Sequence, residues 1–155
     1  MLEKALEGTD DDDNAAVAGV RLVPPDTEGD IGRKYYIQMN NVVFEIFDKR
    51  DGTSVLGPLP NNIFFAGTGT ACELTNDGDP IVLYDRQVDR WMLSEFSTSG
   101  NNLCIYISQT GDPVSGGWYQ YQFTTPSFPD YPKYGTWPTD ANSADGSYIA
   151  TANDG

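Results

Sequence analysis

The sequence predicts an all-β fold of antiparallel sheets, and three observations lead to this prediction. From Arg21 onward, short runs rich in Val, Ile, Phe, Tyr and Trp alternate with stretches of Gly, Pro, Asn and Asp, which favour turns. No run in this region has the apolar periodicity of a helix of three turns. A Pro and Asp pattern followed by an aromatic strand recurs about every 50 residues. The length of 155 residues suits one domain.

The first 20 residues are predicted to form a flexible acidic tail. The run TDDDDN, from Thr9 to Asn14, is strongly charged and has no apolar periodicity, which is typical of a solvated segment. A calcium-binding loop is the alternative interpretation of this run. The alternating Asp spacing and the Gly of an EF-hand loop are missing from it.

The predicted strands follow one another along the rest of the chain. Ile81–Tyr84 is an unbroken apolar run, which favours a strand covered on both faces. Trp118–Phe123 reads WYQYQF and alternates aromatic residues with Gln, as a half-exposed outer strand does. The full set is Tyr35–Met39, Val42–Phe47, Ile63–Ala66, Ile81–Tyr84, Trp91–Phe96, Leu103–Ser108, Trp118–Phe123 and Ser147–Thr151.

The recurring pattern predicts repeated units. Asp26, Asp79 and Asp130 each lie beside a Pro at the entrance of a unit, at intervals of 53 and 51 residues. A unit of this length with four short strands has the size of one β-propeller blade. We therefore expect an incomplete β-propeller of antiparallel four-stranded blades, at about 22–70 and 71–126, with a half blade at 127–155. There are two alternative architectures: partner copies could complete a ring, or the sheets could pack as an open sandwich. A further alternative is that the three turns are similar by chance and that the sequence contains no structural repeat.

Composition excludes several classes of partner and site. The net charge of −14 disfavours nucleic acid and anionic membrane surfaces, since binding them requires clustered Lys and Arg. The sequence has no apolar run long enough to cross a bilayer, so no membrane insertion is expected. It also has no His, which excludes His-based triads and the usual zinc site.

Cys72 and Cys104 are the only cysteines, too few for a structural metal site built by this chain alone. They are interpreted either as a disulfide or as two separate buried thiols. A disulfide would indicate an oxidising compartment, and hence a secreted or cell-surface protein.

Three segments occur in a fixed order: PPDTEGDIG with FEIFDK, GDPIVLYDRQVDRWMLSEF and FPDYPKYGTWP. Through them, residues 22 to 155 resemble secreted bacterial proteins whose N-terminal region is a β-propeller, loosely related to the sialidase-like, Asp-box superfamily. The resemblance implies an N-terminal fragment of about two and a half blades, with further modules downstream, and it supports pairing of Cys72 with Cys104.

An Asp-box is a Ser-x-Asp-x-Gly-x-Thr-Trp turn between the third and fourth strands of a blade. Here SQTGDPVSGGW stands in that place, with Ser108, Asp112, Gly117 and Trp118 as loose counterparts. The spacing is longer and the Thr is absent. In the superfamily this turn is structural, so the resemblance assigns it no catalytic role.

The candidate site residues fall into two groups. Asp26, Asp79 and Asp130 should converge at the mouth of the central channel, where they would cap turns, bind a cation such as Ca²⁺ or water, or act in catalysis. The prolines of FPDYPKYGTWP should hold the aromatic rings off a regular ladder and present them to a ligand. Those rings are Tyr131, Tyr134 and Trp137.

A sialidase-like Tyr–Glu pair is available in principle. Glu95 and Tyr106 lie on neighbouring predicted strands, but a cross-strand polar contact is the simpler interpretation. None of the five arginines lies in a motif of that enzyme class.

These features favour a non-catalytic extracellular module for adhesion, scaffolding or glycan binding. Its expected partners are other protein copies or the missing blades, and glycans. Part of a sialidase-like glycoside hydrolase and a self-assembling subunit are the alternatives.

Overall fold

The computed structural model describes residues 5–138 and 146–154, and their strands form three antiparallel sheets. Two sheets have four strands each and the third has two. In each sheet the strands follow one another in chain order, so every connection is between neighbours. The predicted all-β class and the four-stranded sheets are confirmed. The described residues do not form a closed ring of sheets.

The first sheet contains β1 (Thr27–Ile31), β2 (Tyr35–Asn40), β3 (Val43–Asp48) and β4 (Ser54–Pro60). The short connection at Asn41 has a positive φ of 43°, which Asn tolerates better than most residues, so β2 and β3 form a tight hairpin. The sequence pattern missed β4, because Gly and two Pro residues interrupt it. Pro is confined to edges of sheets, and β4 is the outermost strand here.

The second sheet contains β5 (Ile81–Asp85), β6 (Arg90–Ser97), β7 (Asn102–Ser108) and β8 (Trp118–Thr124). All four strands were predicted from the sequence. Every second residue of β7 and β8 points to the same face, because side chains alternate along a strand. The register pairs Ile105 with Tyr121, and it therefore places aliphatic and aromatic side chains together on one face.

The third sheet is a hairpin of β9 (Pro129–Pro138) and β10 (Gly146–Asp154). The prediction that prolines keep FPDYPKYGTWP off a regular ladder is wrong, because this segment pairs with β10 along most of its length. The exception is a register shift between Thr151 and Asn153, opposite Tyr131 and Pro132, where the missing Pro N–H is tolerated. Positions 139–145 of the predicted half blade lie outside the described residues.

The first strands of the three sheets lie next to one another. β5 contacts both β1 and β9. Asp30 on β1 accepts a hydrogen bond from the N–H of Tyr84 on β5, at 2.7 Å, which joins the first two sheets. Ile81–Tyr84 thus lies between neighbouring sheets, as its apolar run predicts.

The main core lies between the first and second sheets. Fully buried residues from both sheets meet there, including Ile37, Phe44 and Ile46 on one side and Trp91 and Tyr106 on the other. Burial of these aromatic and branched side chains is the main source of stability for the pair of sheets.

A connection with two short helices joins these sheets. The prediction of a strand at Ile63–Ala66 is wrong, because Asn61–Phe65 is a 3₁₀ helix; a short apolar run does not distinguish strand from helix. Its Phe64 ring packs between Phe44 and Tyr106, at centroid distances of 4.6 and 4.8 Å. Residues Ala71–Leu74 form α2, whose Cys72 makes a disulfide with Cys104 on β7. The predicted bridge is confirmed.

The acidic N-terminal segment differs from the expected solvated tail. Asp11–Ala18 forms a helix, α1, whose N-cap Asp10 and N3 residue Asp13 make a reciprocal capping box. Three acidic residues in the first turn interact favourably with the helix dipole, which accounts for a helix in so charged a run. None of the helices among the described residues is long and apolar enough to cross a membrane.

The N-terminal segment covers the outer face of the first sheet. The side-chain amide of Gln38 donates to the carbonyl of Thr9 at 2.9 Å, and α1 contacts β3 and β4. Val43 and Phe47, which point away from the main core, are buried on this face. The first sheet is therefore covered on both sides.

Candidate functional site

Equivalent residues from all three sheets line one cavity. This entrance cavity, of about 210 Å³, lies where the chain enters β1, β5 and β9. It is formed by three triplets, Asp26–Glu28, Asp79–Ile81 and Tyr131–Lys133. The structure thus brings Asp26 and Asp79 together, as the repeat predicts.

Backbone conformation shows that the triplets are equivalent. Asp26, Asp79 and Tyr131 have positive φ angles of 46°, 47° and 49°. Such angles are uncommon outside Gly, so their occurrence at matching positions marks the same turn three times. The residue equivalent to Asp26 and Asp79 is therefore Tyr131, and the repeat was placed one residue too early at Asp130.

The Asp79 carboxylate is part of the turn structure and also faces other charges. Burial, and then the nearby charge of Asp26, raise the pKa of Asp79, while a hydrogen bond donated by the N–H of Tyr131 opposes this. The side chain thus connects the second unit to the third. The sequence analysis offered turn capping within one unit as a role for this side chain, whereas the donor here belongs to the next unit.

Lys133 and Tyr131 give the entrance cavity a cationic and an aromatic wall. The Lys133 ammonium lies 3.7 Å from the centre of the Tyr131 ring, a cation–π contact. The Tyr131 ring is 58% exposed. No group of three His, Cys, Asp or Glu side chains in the described part of the chain is arranged to hold a metal ion. The cavity therefore offers hydrogen-bonding groups of both charges and a stacking surface.

The three candidate aromatic residues of β9 do not form one platform. Trp137 is 73% exposed, whereas Tyr134 is half-buried and its hydroxyl oxygen is fully buried. Burial raises the pKa of Tyr134 to about 12, and its hydroxyl lies beside Ser94 of the second sheet. Tyr134 thus joins two sheets, and only Tyr131 and Trp137 present large rings to solvent.

Glu95 and Tyr106 form the cross-strand contact expected from the sequence. The Tyr106 hydroxyl donates to Glu95 Oε1 at 2.5 Å, and both side chains are completely buried. Burial raises the pKa of Glu95 to about 8, although the hydrogen bond from Tyr106 acts in the opposite direction. Because neither group reaches solvent, this pair offers no surface to a substrate.

The turn between β7 and β8 has a structural role. The Asp112 carboxylate accepts hydrogen bonds from the N–H of Val114 at 2.9 Å and from the hydroxyl of Ser115 at 2.7 Å. Ser108 Oγ accepts from the N–H of Trp91 at 2.8 Å, which fixes the turn to β6. The turn connects the third and fourth strands of the second sheet.

A large apolar groove lies beside the outer strands of the second sheet. Its volume is about 890 Å³. We call its floor the open face, which comprises Ile105 and Ile107 of β7 and Tyr119, Tyr121 and Phe123 of β8. Tyr148 of the third sheet forms part of one wall. The alternation in WYQYQF indicated a half-exposed strand, but sequence reasoning did not identify the groove.

No protein-family model matches this chain, and neither a curated protein nor a solved structure was found that matches it. Any proposal about its function must therefore rest on the geometry and chemistry of the chain itself.

Proposed function

We propose that this chain is a non-catalytic extracellular module, a partial β-propeller that serves adhesion, scaffolding or glycan contact within a larger surface protein or assembly. The observation that carries the proposal is the entrance cavity. Three equivalent turns line it, and neighbouring first strands contact one another, as expected for blades arranged about one axis.

The disulfide between Cys72 and Cys104 supports the extracellular part of the proposal, because disulfides persist mainly in oxidising compartments. The net charge of −14 supports solubility at a cell surface and disfavours anionic partners.

Glycan contact is supported by Trp137 and Tyr131, the exposed rings of β9. Sugars stack on aromatic rings, and the carboxylates and Lys133 of the entrance cavity supply hydrogen-bonding partners for hydroxyl groups. The other exposed aromatic rings of the described residues line the apolar groove, whose lining residues include no carboxylate and no lysine.

A glycan array tests this contact. The full chain should bind a subset of neutral or cationic glycans, and Trp137→Ala or Tyr131→Ala should weaken binding of that subset by about fivefold, since one stacking contact contributes on the order of 1 kcal/mol. Leu74→Ala changes another exposed apolar side chain, on α2, and should leave binding unchanged. Equal binding by all four proteins would contradict the proposed glycan contact.

The glycoside-hydrolase alternative requires two carboxylates that reach substrate. Glu95 is buried beside Tyr106, and this favours the non-catalytic proposal. A panel of aryl glycosides, including a sialoside, should show no turnover by the chain between pH 4 and pH 8. Turnover that disappears in Asp79→Asn would instead establish an enzyme whose site is the entrance cavity.

A further inference from the structure

We propose that the apolar groove binds a two-stranded antiparallel β-ribbon from outside residues 1–155, built like β7 and β8, which pairs with the free edge of β10 and covers the open face. The inference rests on the proposed function, because it completes the third sheet of the same repeat. Four observations support it.

The first observation is that the groove continues an interface that is already formed. Tyr134 of β9 lies beside Ser94 of β6, and Tyr148 of β10 donates a hydrogen bond to Asp85 at the end of β5. These contacts cover the inner half of the second sheet. The open face is the outer half of the same surface, and nothing among the described residues covers it.

The second observation is the cover that the first sheet receives at the equivalent place. Its outer strands, β3 and β4, share one core cluster with residues of β7 and β8 of the next sheet, and Phe64 packs between the two sheets. Phe64 packs on Phe44 of β3 and on Trp118 of β8, at 4.6 and 4.8 Å, and the Gln120 side chain donates to the Phe64 carbonyl at 2.7 Å. In the first sheet, the face of the outer strands is thus covered by Phe64 together with the third and fourth strands of the next sheet.

The third observation is that the groove offers a ribbon two surfaces, the free edge of β10 and the open face beside it. Among the residues that the structure describes, β10 pairs with β9 on one side only, so its other edge offers backbone N–H and C=O groups to a further strand. The open face beside this edge exposes 51% of Tyr119, 44% of Tyr121 and 52% of Phe123. A ribbon paired with β10 would lie over these rings, and its alternating apolar side chains would meet them.

The fourth observation is charge, which disfavours a second copy of this chain as the occupant. Each copy carries a net charge of −14, so two copies repel each other. Of the residues that line the groove, Arg90 is the one that carries a charge. An apolar ribbon of low charge is therefore the better match.

A fusion of the chain with its own ribbon tests the proposal. A second copy of residues 98–126, with the cysteine equivalent to Cys104 replaced by Ser, is joined after residue 155 of the full chain. Intramolecular delivery is needed because an isolated hairpin is marginally stable in water. A parallel fusion carries residues 42–61, which include the ribbon β3–β4.

Hydrogen exchange gives the decisive measurement. In at least one fusion, amides of residues 146–154 should exchange at least tenfold more slowly than in the unextended chain, and the protein should remain monomeric. Tyr121→Asp in the original second sheet should remove this protection. Val55→Asp, at an exposed apolar position on β4, should leave it intact. A Gly/Ser extension of equal length should give none.

The proposal is overturned if neither ribbon protects β10, or if the Gly/Ser extension protects it equally. It is also overturned if the unextended chain dimerises and Tyr121→Asp, but not Val55→Asp, dissociates the dimer, because the occupant is then a second copy. The proposed non-catalytic function fails on a different result, glycoside turnover by the unextended chain, so the two failures are distinguishable.

Discussion

At the residue scale, Glu95 has the most unusual environment among the described side chains. Its carboxyl is fully buried, and Oε2 has no hydrogen-bond partner, while Oε1 accepts from Tyr106. An ionised carboxylate is costly at such a position, so burial raises the pKa of Glu95 to about 8. The folded protein therefore holds Glu95 in its neutral form at neutral pH.

This burial predicts a pH dependence of stability. Unfolding releases the Glu95 proton at any pH between the ordinary glutamate pKa of about 4.5 and the folded pKa of about 8. The unfolded state binds fewer protons, so the Glu95 contribution is fully present below pH 4.5 and is lost as pH rises to 8. Urea unfolding from pH 5 to pH 9 should show this decline.

Glu95→Gln provides the comparison. The neutral amide keeps the shape of the side chain and an oxygen that accepts from Tyr106, so the decline should largely disappear, and at pH 8 the variant should be more stable by on the order of a few kcal/mol. Glu7→Gln, at an exposed carboxylate, should retain the wild-type pH dependence. Parallel curves for wild type and Glu95→Gln would show that Glu95 is not the titrating group.

At the element scale, the disulfide connects α2 to the third strand of the second sheet. It closes a loop across a sequence separation of 32 residues. Removing that constraint with the double change of Cys72 and Cys104 to Ala should lower the free energy of unfolding by about 3–4 kcal/mol in the loop-entropy model. Urea denaturation at one pH measures this. A loss below about 1 kcal/mol would mean that the unfolded chain is already restricted between α2 and β7.

The capping box of α1 gives a second prediction at this scale. Asp10 Oδ1 accepts from the N–H of Asp12 at 2.7 Å and of Asp13 at 3.3 Å, so Asp10→Ala should lower stability by about 1 kcal/mol. Asp10→Asn keeps a capping oxygen while it removes the same charge, and it should stay close to wild type. If both variants lose the same amount, the charge rather than the cap stabilises α1.

At the scale of the whole molecule, the sequence predicted the sheets better than their connections. The runs of the second sheet are rich in β-branched and aromatic residues, so their strand positions follow from the pattern, and the alternation in WYQYQF also indicated the exposure of β8. Phe64 and Phe65 lie in a run of the same composition, yet they form a 3₁₀ helix, because their position between two sheets is decided by tertiary packing.

The sequence predicted the part of the candidate site that is formed by the repeated Pro and Asp pattern. The Pro and Asp pattern located Asp26 and Asp79 at one cavity, but it selected Asp130 over Tyr131, since only the backbone φ angle reveals which residue occupies the equivalent turn. The sequence analysis missed the helix at Asp11–Ala18 because this helix depends on its N-cap and on contact with the first sheet. A search for apolar periodicity detects neither of these.

The N-terminal segment that covers Val43 and Phe47 gives the stack of sheets two unlike ends. With α1 in place, a further sheet could not pack on the outer face of the first sheet without displacing this helix, whereas none of the described residues covers the open face of the second sheet.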